Sequence, residues 1–488
     1  MPSPTAAPAK RKISDRTTGS STNTNSNTHD PTISPPPTKR KIQASVSKTA
    51  VANFFTPASQ KPRPPPSKVT WEERAPSPEQ PTSLLVATIG GGARSDLPST
   101  GIKVAAFDLD STLITTASGK KHADGAGDWT WWNPKVPKKL RQLHEEEGCQ
   151  VIIFSNQGGL LLHPDPKKKA PAKGNTKDRV TDYKQKCTAI LADLDLPVTL
   201  YAATGKDRFR KPRPGMWEEM TKDLAKHVGC ASGNEDKNKI VDLSSSFFIG
   251  DAAGRPATVV NGKNVAKDFS CSDRNLAANV GVRFETPEEY FLGESPREFA
   301  RGFNLEDHPF ITTPETATTT PPFTKGDGQE LVVFCGPPGA GKSTFFRTHL
   351  EPLGFERVNQ DTLKSKDKCL KVASRHLQEG ASVAVDNTNP DPATRALWVD
   401  LAKKAKVPVR CVWFTTNPAI CEHNDAVRAM NKALNPDNRD ALPRIAFNGF
   451  YSRFREPKKE EGFVDITQVA FTFRGTEAEY ALWGKYWV

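Results

Sequence analysis

A chain of 488 residues has room for two ordinary domains and a tail. Its eight cysteines, spread from Cys149 to Cys421 with no C-x-x-C pair, argue against a disulfide scaffold or structural zinc site and for a reducing compartment. Net charge is +12, but residues 1–70 hold eleven Lys/Arg against two acids, which is +9 of it, so the remainder is too mildly basic for bulk charge to signal a nucleic-acid groove.

No apolar run reaches bilayer length and no signal peptide opens the chain. A soluble intracellular monomer with no membrane partner is expected. Residues 1–100 are rich in Pro, Ser, Thr and Asn, with few aromatics and no sustained periodicity. Such a segment buries too little apolar surface to offset its ordering entropy, so a disordered basic tail, dispensable for chemistry, is expected. KRKI occurs in it twice, at 10–13 and 39–42, and reads as a nuclear localisation signal. KTAVANFF at 48–55 resembles a degenerate sliding-clamp-binding peptide, with Lys48 where that motif has Gln.

From Ile102 the texture changes. Strand-length apolar runs at 102–107, 150–154, 198–203 and 247–249 alternate with helix-like stretches such as 137–147 and 215–227. That alternation predicts a parallel α/β domain over 101–305, with active residues just beyond the carboxyl ends of its strands. A Thr/Pro-rich linker is expected over 306–328. A second α/β domain, 329–488, follows with strands at 331–335, 381–386 and 409–414 and a helix at about 392–405.

The first site begins with VAAFDLDST at 104–112. Carboxylates as close as Asp108 and Asp110 resist joint ionisation unless a cation or hydrogen bonds intervene. Mg²⁺, which prefers hard oxygen ligands, would relieve that repulsion. Asp108 can then attack phosphorus, while Asp110 protonates the leaving oxygen and later activates water. Ser155, with Asn156 beside it, can hydrogen-bond phosphoryl oxygens. Lys211 can neutralise charge developing in the transition state, and Asp251 supplies a further metal carboxylate.

D-x-D-S-T, then hydrophobic-S-N-Q, then K-P, then G-D, each after a strand, resembles the haloacid dehalogenase superfamily of phosphatases over residues 102–292. Narrower stretches are DWTWWNPKVPKKLRQL (128–143), FSNQGGL (154–160), FRKPRPGMW (209–217) and GDAAGRP…KDFSCSDRNLAANVG (250–281). These look like the 3′-phosphatase domain of the polynucleotide kinase 3′-phosphatase family. The resemblance implies a 3′-phosphate on a DNA end as substrate, a phospho-aspartate intermediate and a haloacid dehalogenase-like Rossmannoid fold. Asp273, in the CSDR element, is a candidate support for the metal site. Trp129, Trp131 and Trp132 offer stacking faces for bases, with core packing the expected use of at least two.

The second site is GPPGAGKST at 336–344, between an apolar strand and a helix-forming stretch. This is the context a P-loop requires. Gly336, Pro337, Pro338, Gly339, Ala340, Gly341, Lys342, Ser343 and Thr344 are the candidate ATP-binding residues. Lys342 reaches the β/γ-phosphates and Ser343 holds Mg²⁺. Asp361 can accept the proton of an attacking hydroxyl. Asp386 ends a strand like a Walker-B acid, with Arg395 on the helix beyond. Arg428 is placed as a lid arginine, and Arg395 is the alternative nucleotide contact. These elements resemble the 5′-kinase domain of the same family over 330–488, with two departures: Gln360 precedes Asp361 where the family has Arg, and the lid reads EHNDAVR.

Together the two resemblances imply a nuclear, bifunctional DNA repair enzyme. It would remove 3′-phosphates and phosphorylate 5′-hydroxyls with ATP, leaving ends that a ligase can join. The stretch before the phosphatase leaves no room for a forkhead-associated domain, so the tail is the expected contact for a sliding clamp or repair scaffold. RNA ends or small metabolites are rival substrates. A non-catalytic adaptor is the rival from another class, and the intact Asp108, Asp110, Lys211, Lys342, Ser343 and Asp361 oppose it.

Overall fold

The structure, a computed structural model, describes residues 69–163, 176–230, 240–260, 262–311 and 323–488. Both KRKI clusters, the clamp-like 48–55 and residues 312–322 of the expected linker lie outside them.

The first half is a three-layer sandwich. Its strands are β1 (Thr70–Arg74), β2 (Leu84–Ile89), β3 (Val104–Phe107), β4 (Ile114–Thr115), β5 (Thr130–Trp131), β6 (Gln150–Asn156), β7 (Val198–Ala203), β8 (Phe247–Ile249), β9 (Thr258–Val260), β10 (Lys263–Val265) and β11 (Arg283–Glu285). Seven form one sheet in the order β1-β2-β7-β6-β3-β8-β11. It is parallel from β7 to β11, while β2 runs antiparallel to β7 and β1 antiparallel to β2. Strand residues alternate between the two faces. Ala105, Phe107, Val151 and Ile153 pack towards α1 (Lys135–Glu145) and α2 (Thr176–Leu194). Val104, Ala106, Ile152 and Phe154 pack towards α3 (Gly215–His227) and α4 (Ser272–Val280). Covering both faces is why these strands read as unbroken apolar runs.

The disordered tail expected through residue 100 gives way here. LLVATI places Leu84 and Val86 on one face and Leu85, Ala87 and Ile89 on the other, all buried. A six-residue strand disappears when composition is averaged over a hundred Pro- and Ser-rich residues. A chain starting near residue 95 would lose two strands, so residues 69–95 belong to the fold.

The second half repeats the principle with β12 (Leu331–Cys335), β13 (Phe355–Val358), β14 (Ser382–Val385), β15 (Val409–Phe414) and β16 (Ile466–Val469). Their order is β13-β14-β12-β15-β16, all parallel. The helices are α5 (Lys342–Phe345), extended to Leu350 by a π turn, α6 (Gln360–Leu363), α7 (Lys366–Gln378), α8 (Pro392–Ala405), α9 (Pro418–Met430), α10 (Arg444–Arg453) and α11 (Glu477–Trp483). Helices α7 and α8 cover one face through Ala373, Leu377, Trp398 and Val399, and Phe345, Phe346 and Phe447 cover the other. All eight cysteines are free.

The fold yields one test. Leu85 is fully buried in β2. Leu85→Ala should therefore cost about 2–5 kcal/mol, read as a lowered midpoint in denaturant unfolding. An unshifted midpoint would mean that β2 is no part of the core.

Candidate active sites

In the first half the site forms where β3, β6 and β8 end. Asp108 follows β3, and its N–H donates to Ile249 O at 2.8 Å, which pins it between two strands. Ser111 adopts φ +65° and its N–H donates to Ile114 O, so residues 109–114 fold back on themselves. That turn leaves Asp110 exposed and buries Thr112 completely. Thr112 Oγ1 accepts from the Asp251 N–H at 3.1 Å, tying the first motif to the last.

Lys211 is buried among carboxylates. Its Nζ lies 2.5 Å from Asp108 Oδ1 and 2.8 Å from Asp273 Oδ1, and donates to Phe154 O at 2.9 Å. The Asn156 side chain grips the Lys211 backbone from both sides. Its Oδ1 accepts from Lys211 N–H at 2.9 Å and its Nδ2 donates to Lys211 O at 3.1 Å. Asn156 therefore serves the lysine. Ser155 Oγ and Asp110 Oδ2 share one donor, Gln157 Nε2, at 2.9 and 2.6 Å. Lys186 Nζ holds the other Asp110 oxygen at 3.1 Å.

Burial lifts the Asp108 carboxyl well above its ordinary range, with Asp273 and Asp251 adding to the rise and Lys211 opposing it. Burial and then Asp273 push Asp251 up to about 7. Burial opposes the Lys211 charge, yet Asp108 and Asp273 hold it above the usual lysine range. Three carboxylates against one ammonium leave an excess of negative charge. Oxygens of Asp108, Asp251 and Asp273 all lie within 4.8 Å of one another. Hard oxygen donors at that spacing fit Mg²⁺. Asp273, expected only as a support, stands in this group. The Asp110 carboxylate, expected as a ligand, is turned towards Gln157 and Lys186.

Gly250 permits the arrangement, because a Cβ there would sit 2.3 Å from Asp273 Oδ2. Trp129, Trp131 and Trp132 pack partly buried on the core, and Trp131 Nε1 donates to Asp193 at 2.9 Å.

In the second half the P-loop joins β12 to α5 at the edge of a cleft of about 1170 Å³. Pro338, Gly339, Ala340, Gly341, Lys342, Ser343 and Thr344 line it, with Asp361, Asp386 and Arg428. Gly336 and Pro337 lie just behind. A Cβ on Gly339, at φ +75°, would meet Cys421 O at 2.2 Å. Lys342 Nζ donates to Gly336 O at 3.0 Å and Pro337 O at 2.5 Å. Ser343 Oγ donates to Asp386 Oδ2 at 2.8 Å, and Arg357 Nε donates to the same oxygen at 2.9 Å.

Asn359 caps α6 by accepting from Asp361 N–H and Thr362 N–H, which sets Asp361 on the first turn. Asp361 is exposed and pairs with Arg439 Nη1 at 3.0 Å. Arg428 lines the cleft but pairs with Asp425 on its own helix. Arg395 is a correction. It is fully buried, binds Glu461 at 2.7 and 2.6 Å, and donates to Asn389 O and Arg455 O. Its guanidinium locks α8 to the chain that follows α10 and does not line the cleft, because this face of α8 turns inward onto Glu461 and Arg455. Sequence reasoning missed Arg357 and Arg439, which lie in no motif. Gln157 and Thr112 lie inside the S-N-Q and D-x-D-S-T motifs, where the sequence alone assigns them no role.

A parallel α/β chain with a lysine–carboxylate centre in one half and a P-loop cleft in the other is built for phosphoryl transfer at two places. Residues 103–291 match the polynucleotide kinase 3 phosphatase family, and residues 331–368 and 365–457 match the AAA domain family. The chain is 40% identical over 372 residues to a bifunctional polynucleotide phosphatase/kinase of Schizosaccharomyces pombe, covering 76% of this chain and 80% of that protein. It is 31% identical over 398 residues to a putative bifunctional polynucleotide phosphatase/kinase of Acanthamoeba polyphaga mimivirus, covering 79% and 88%. Identity to a polynucleotide 3′-phosphatase of Saccharomyces cerevisiae is 28% over 235 residues, covering 40% and 89%. The chain belongs to the bifunctional polynucleotide phosphatase/kinase family.

The close approach at Gly250 makes a prediction independent of activity. Gly250→Ala should cost about 1–3 kcal/mol through overpacking. The cost should shrink in an Asp273→Gly background, because the Oδ2, Cγ and Cβ that the new methyl would meet at 2.3, 2.6 and 2.7 Å are all gone. Thermal unfolding of the four variants measures both. Equal costs in the two backgrounds would mean that the clash is not with Asp273.

Proposed function

We propose that this protein repairs DNA ends, removing a 3′-phosphate at the first site and adding a 5′-phosphate from ATP at the second. The observation that carries the reading is the buried Lys211, held between Asp108 and Asp273, in the same family-matched chain as a P-loop cleft with Asp361 at its edge.

In the phosphatase step an Asp108 oxygen attacks phosphorus, and the bond to the 3′-oxygen breaks with its electron pair on that oxygen. Asp110, held by Gln157 and Lys186, gives the leaving oxygen a proton. The acyl phosphate on Asp108 is then opened by water, whose proton returns to Asp110, and inorganic phosphate leaves. Ser155 and Lys211 bind the phosphoryl oxygens, with Asn156 fixing the backbone that carries the lysine. Asp108, Asp251 and Asp273 would hold Mg²⁺, which screens phosphate from carboxylate when bound. Arg210, next to Lys211, has a buried Nη1 with no hydrogen-bond partner, which suits a neighbouring phosphate of the strand.

In the kinase step Lys342 leaves the loop carbonyls for the β/γ-phosphates, and Ser343 with Asp386 would hold the ATP-bound Mg²⁺. Asp361 takes the proton of the 5′-hydroxyl as its oxygen attacks the γ-phosphorus and ADP departs. Arg428 and Arg439 line the cleft where charge develops. The domain limits follow the sites: a phosphatase domain to about residue 305, begun by the strands at 70–89, and a kinase domain from 329. The basic clusters support nuclear action, and the segment before residue 69 is the candidate clamp or scaffold contact.

A DNA carrying a 3′-phosphate and a 5′-hydroxyl, resolved on a gel with and without ATP, tests the whole. Phosphate release should need no ATP. Asp108→Asn, nearly isosteric but a poor nucleophile, should abolish release by several orders of magnitude and spare 5′-phosphorylation. Loss of both activities in the folded variant would refute two independent centres.

Asp361→Asn isolates the base. Asn359 still caps α6 in that variant, and an amide at 361 cannot take a proton. Single-turnover phosphorylation should fall roughly 10²–10⁴-fold while ATP affinity stays. Undiminished turnover would place the base elsewhere.

A further inference from the structure

The last residues of the kinase half are buried against the phosphatase half. Tyr486 and Trp487 are each 8% exposed. Asn279, near the end of α4, meets them with its whole amide. Its Oδ1 accepts from Tyr486 N–H at 2.7 Å, and its Nδ2 donates to Tyr486 O at 2.7 Å and to Pro212 O at 2.8 Å. Arg213, also buried, donates from Nε to Trp487 O at 3.1 Å and from Nη1 to Lys206 O and Asp207 O at 2.8 and 2.7 Å. Pro212 and Arg213 directly follow Lys211. The lysine's turn is therefore held on one side by Asn156 and on the other by the C-terminal segment.

The same segment is anchored to the P-loop. Trp487 Nε1 donates to Leu482 O at 2.9 Å, within α11. Trp483 Nε1 donates to Asn424 Oδ1 at 2.7 Å, and Asn424 Nδ2 donates to Gly339 O at 2.8 Å. His423 Nε2 lies 2.9 Å from Trp483 O. One unbroken set of contacts thus runs from a P-loop carbonyl to the residue after Lys211.

We propose that the C-terminal segment 483–487 is a strut for the phosphatase centre, with Asn279 as the positioning residue that joins it to the Lys211 turn. The inference rests on reading Lys211 as part of that centre. The physical reason is positional. Lys211 Nζ must stay between two carboxylates, and a displacement of about 1 Å at a reacting centre costs on the order of 10²-fold in rate. The strut touches neither phosphate nor carboxylate, so it should act on turnover and leave substrate binding alone.

The test uses the full chain on a 3′-phosphorylated duplex. Asn279→Asp keeps the acceptor for Tyr486 N–H and loses both donations, with little change of volume. Asn279→Asp, Asn279→Ala and a chain ending at Lys485 should each lower phosphatase kcat about 10–100-fold, with KM within about threefold. The double change, Asn279→Ala in the shortened chain, should lose clearly less than the product of its two singles, because both remove the same two Asn279–Tyr486 hydrogen bonds. Kinase turnover should stay within about twofold. Unchanged phosphatase kcat in Asn279→Asp, multiplying losses in the double change, or parallel loss of both activities would each overturn the strut. Lys211→Ala is the separate control. Full phosphatase activity there would sink the reading of the centre itself, whereas an inert Lys211→Ala beside a fully active Asn279→Asp would sink the strut alone.

Discussion

A buried ammonium is the constraint around which the first half is organised. Lys211 is all but removed from water, and an unpaired charge there would cost several kcal/mol. It is tolerable because Asp108 and Asp273 face it and Phe154 O takes a third proton. Each partner comes from a different place: the end of β3, the first turn of α4, and β6. The lysine itself hangs on a turn gripped by Asn156. Strand order puts β6, β3 and β8 side by side, which brings these groups together. The charge excess that remains is what a divalent cation or a phosphoryl group can exploit.

The second half manages charge by a different route. Its P-loop lysine makes no ion pair among the described residues and instead turns back on two carbonyls of its own loop. Burial lowers its pKa, with Asp386 opposing. Asp386 in turn is shared between Ser343 and Arg357. The pocket is thus held by partners that a nucleotide can displace one by one, whereas the lysine–carboxylate centre is already closed. Asp361 follows the same pattern, exposed and paired with an arginine that can move to incoming phosphate.

Much of this was legible in the chain because the signals are local. Apolar runs buried on both faces marked β3, β6, β7, β8, β12 and β15, and polar residues at their ends marked the sites. What stayed hidden depends on contacts between distant segments. β2 carries the same apolar signal but sits in a proline-rich context that argued for disorder. Arg395 was open to a nucleotide contact because helix phase alone does not reveal its partly buried partner Glu461. Arg357 and Arg439 belong to no motif and become visible only once β13, α6 and the segment after α9 converge. Asn279 lies in a stretch quoted for its family likeness, yet its role depends on residues about 200 positions away.

The order of strands has a consequence for synthesis. β2 leaves the ribosome well before β7, the neighbour against which it pairs from Leu84 to Ile89. At about 5–20 residues per second, it waits several seconds with two apolar faces and a free edge. That is the profile of a segment prone to join other chains. Pro81 precedes it and Pro98 follows, and neither can donate to a ladder, while Glu72, Glu73 and Arg74 in β1 put charge along its other side. The hairpin of β1 and β2 thus carries its own protection through the interval in which its sheet does not yet exist.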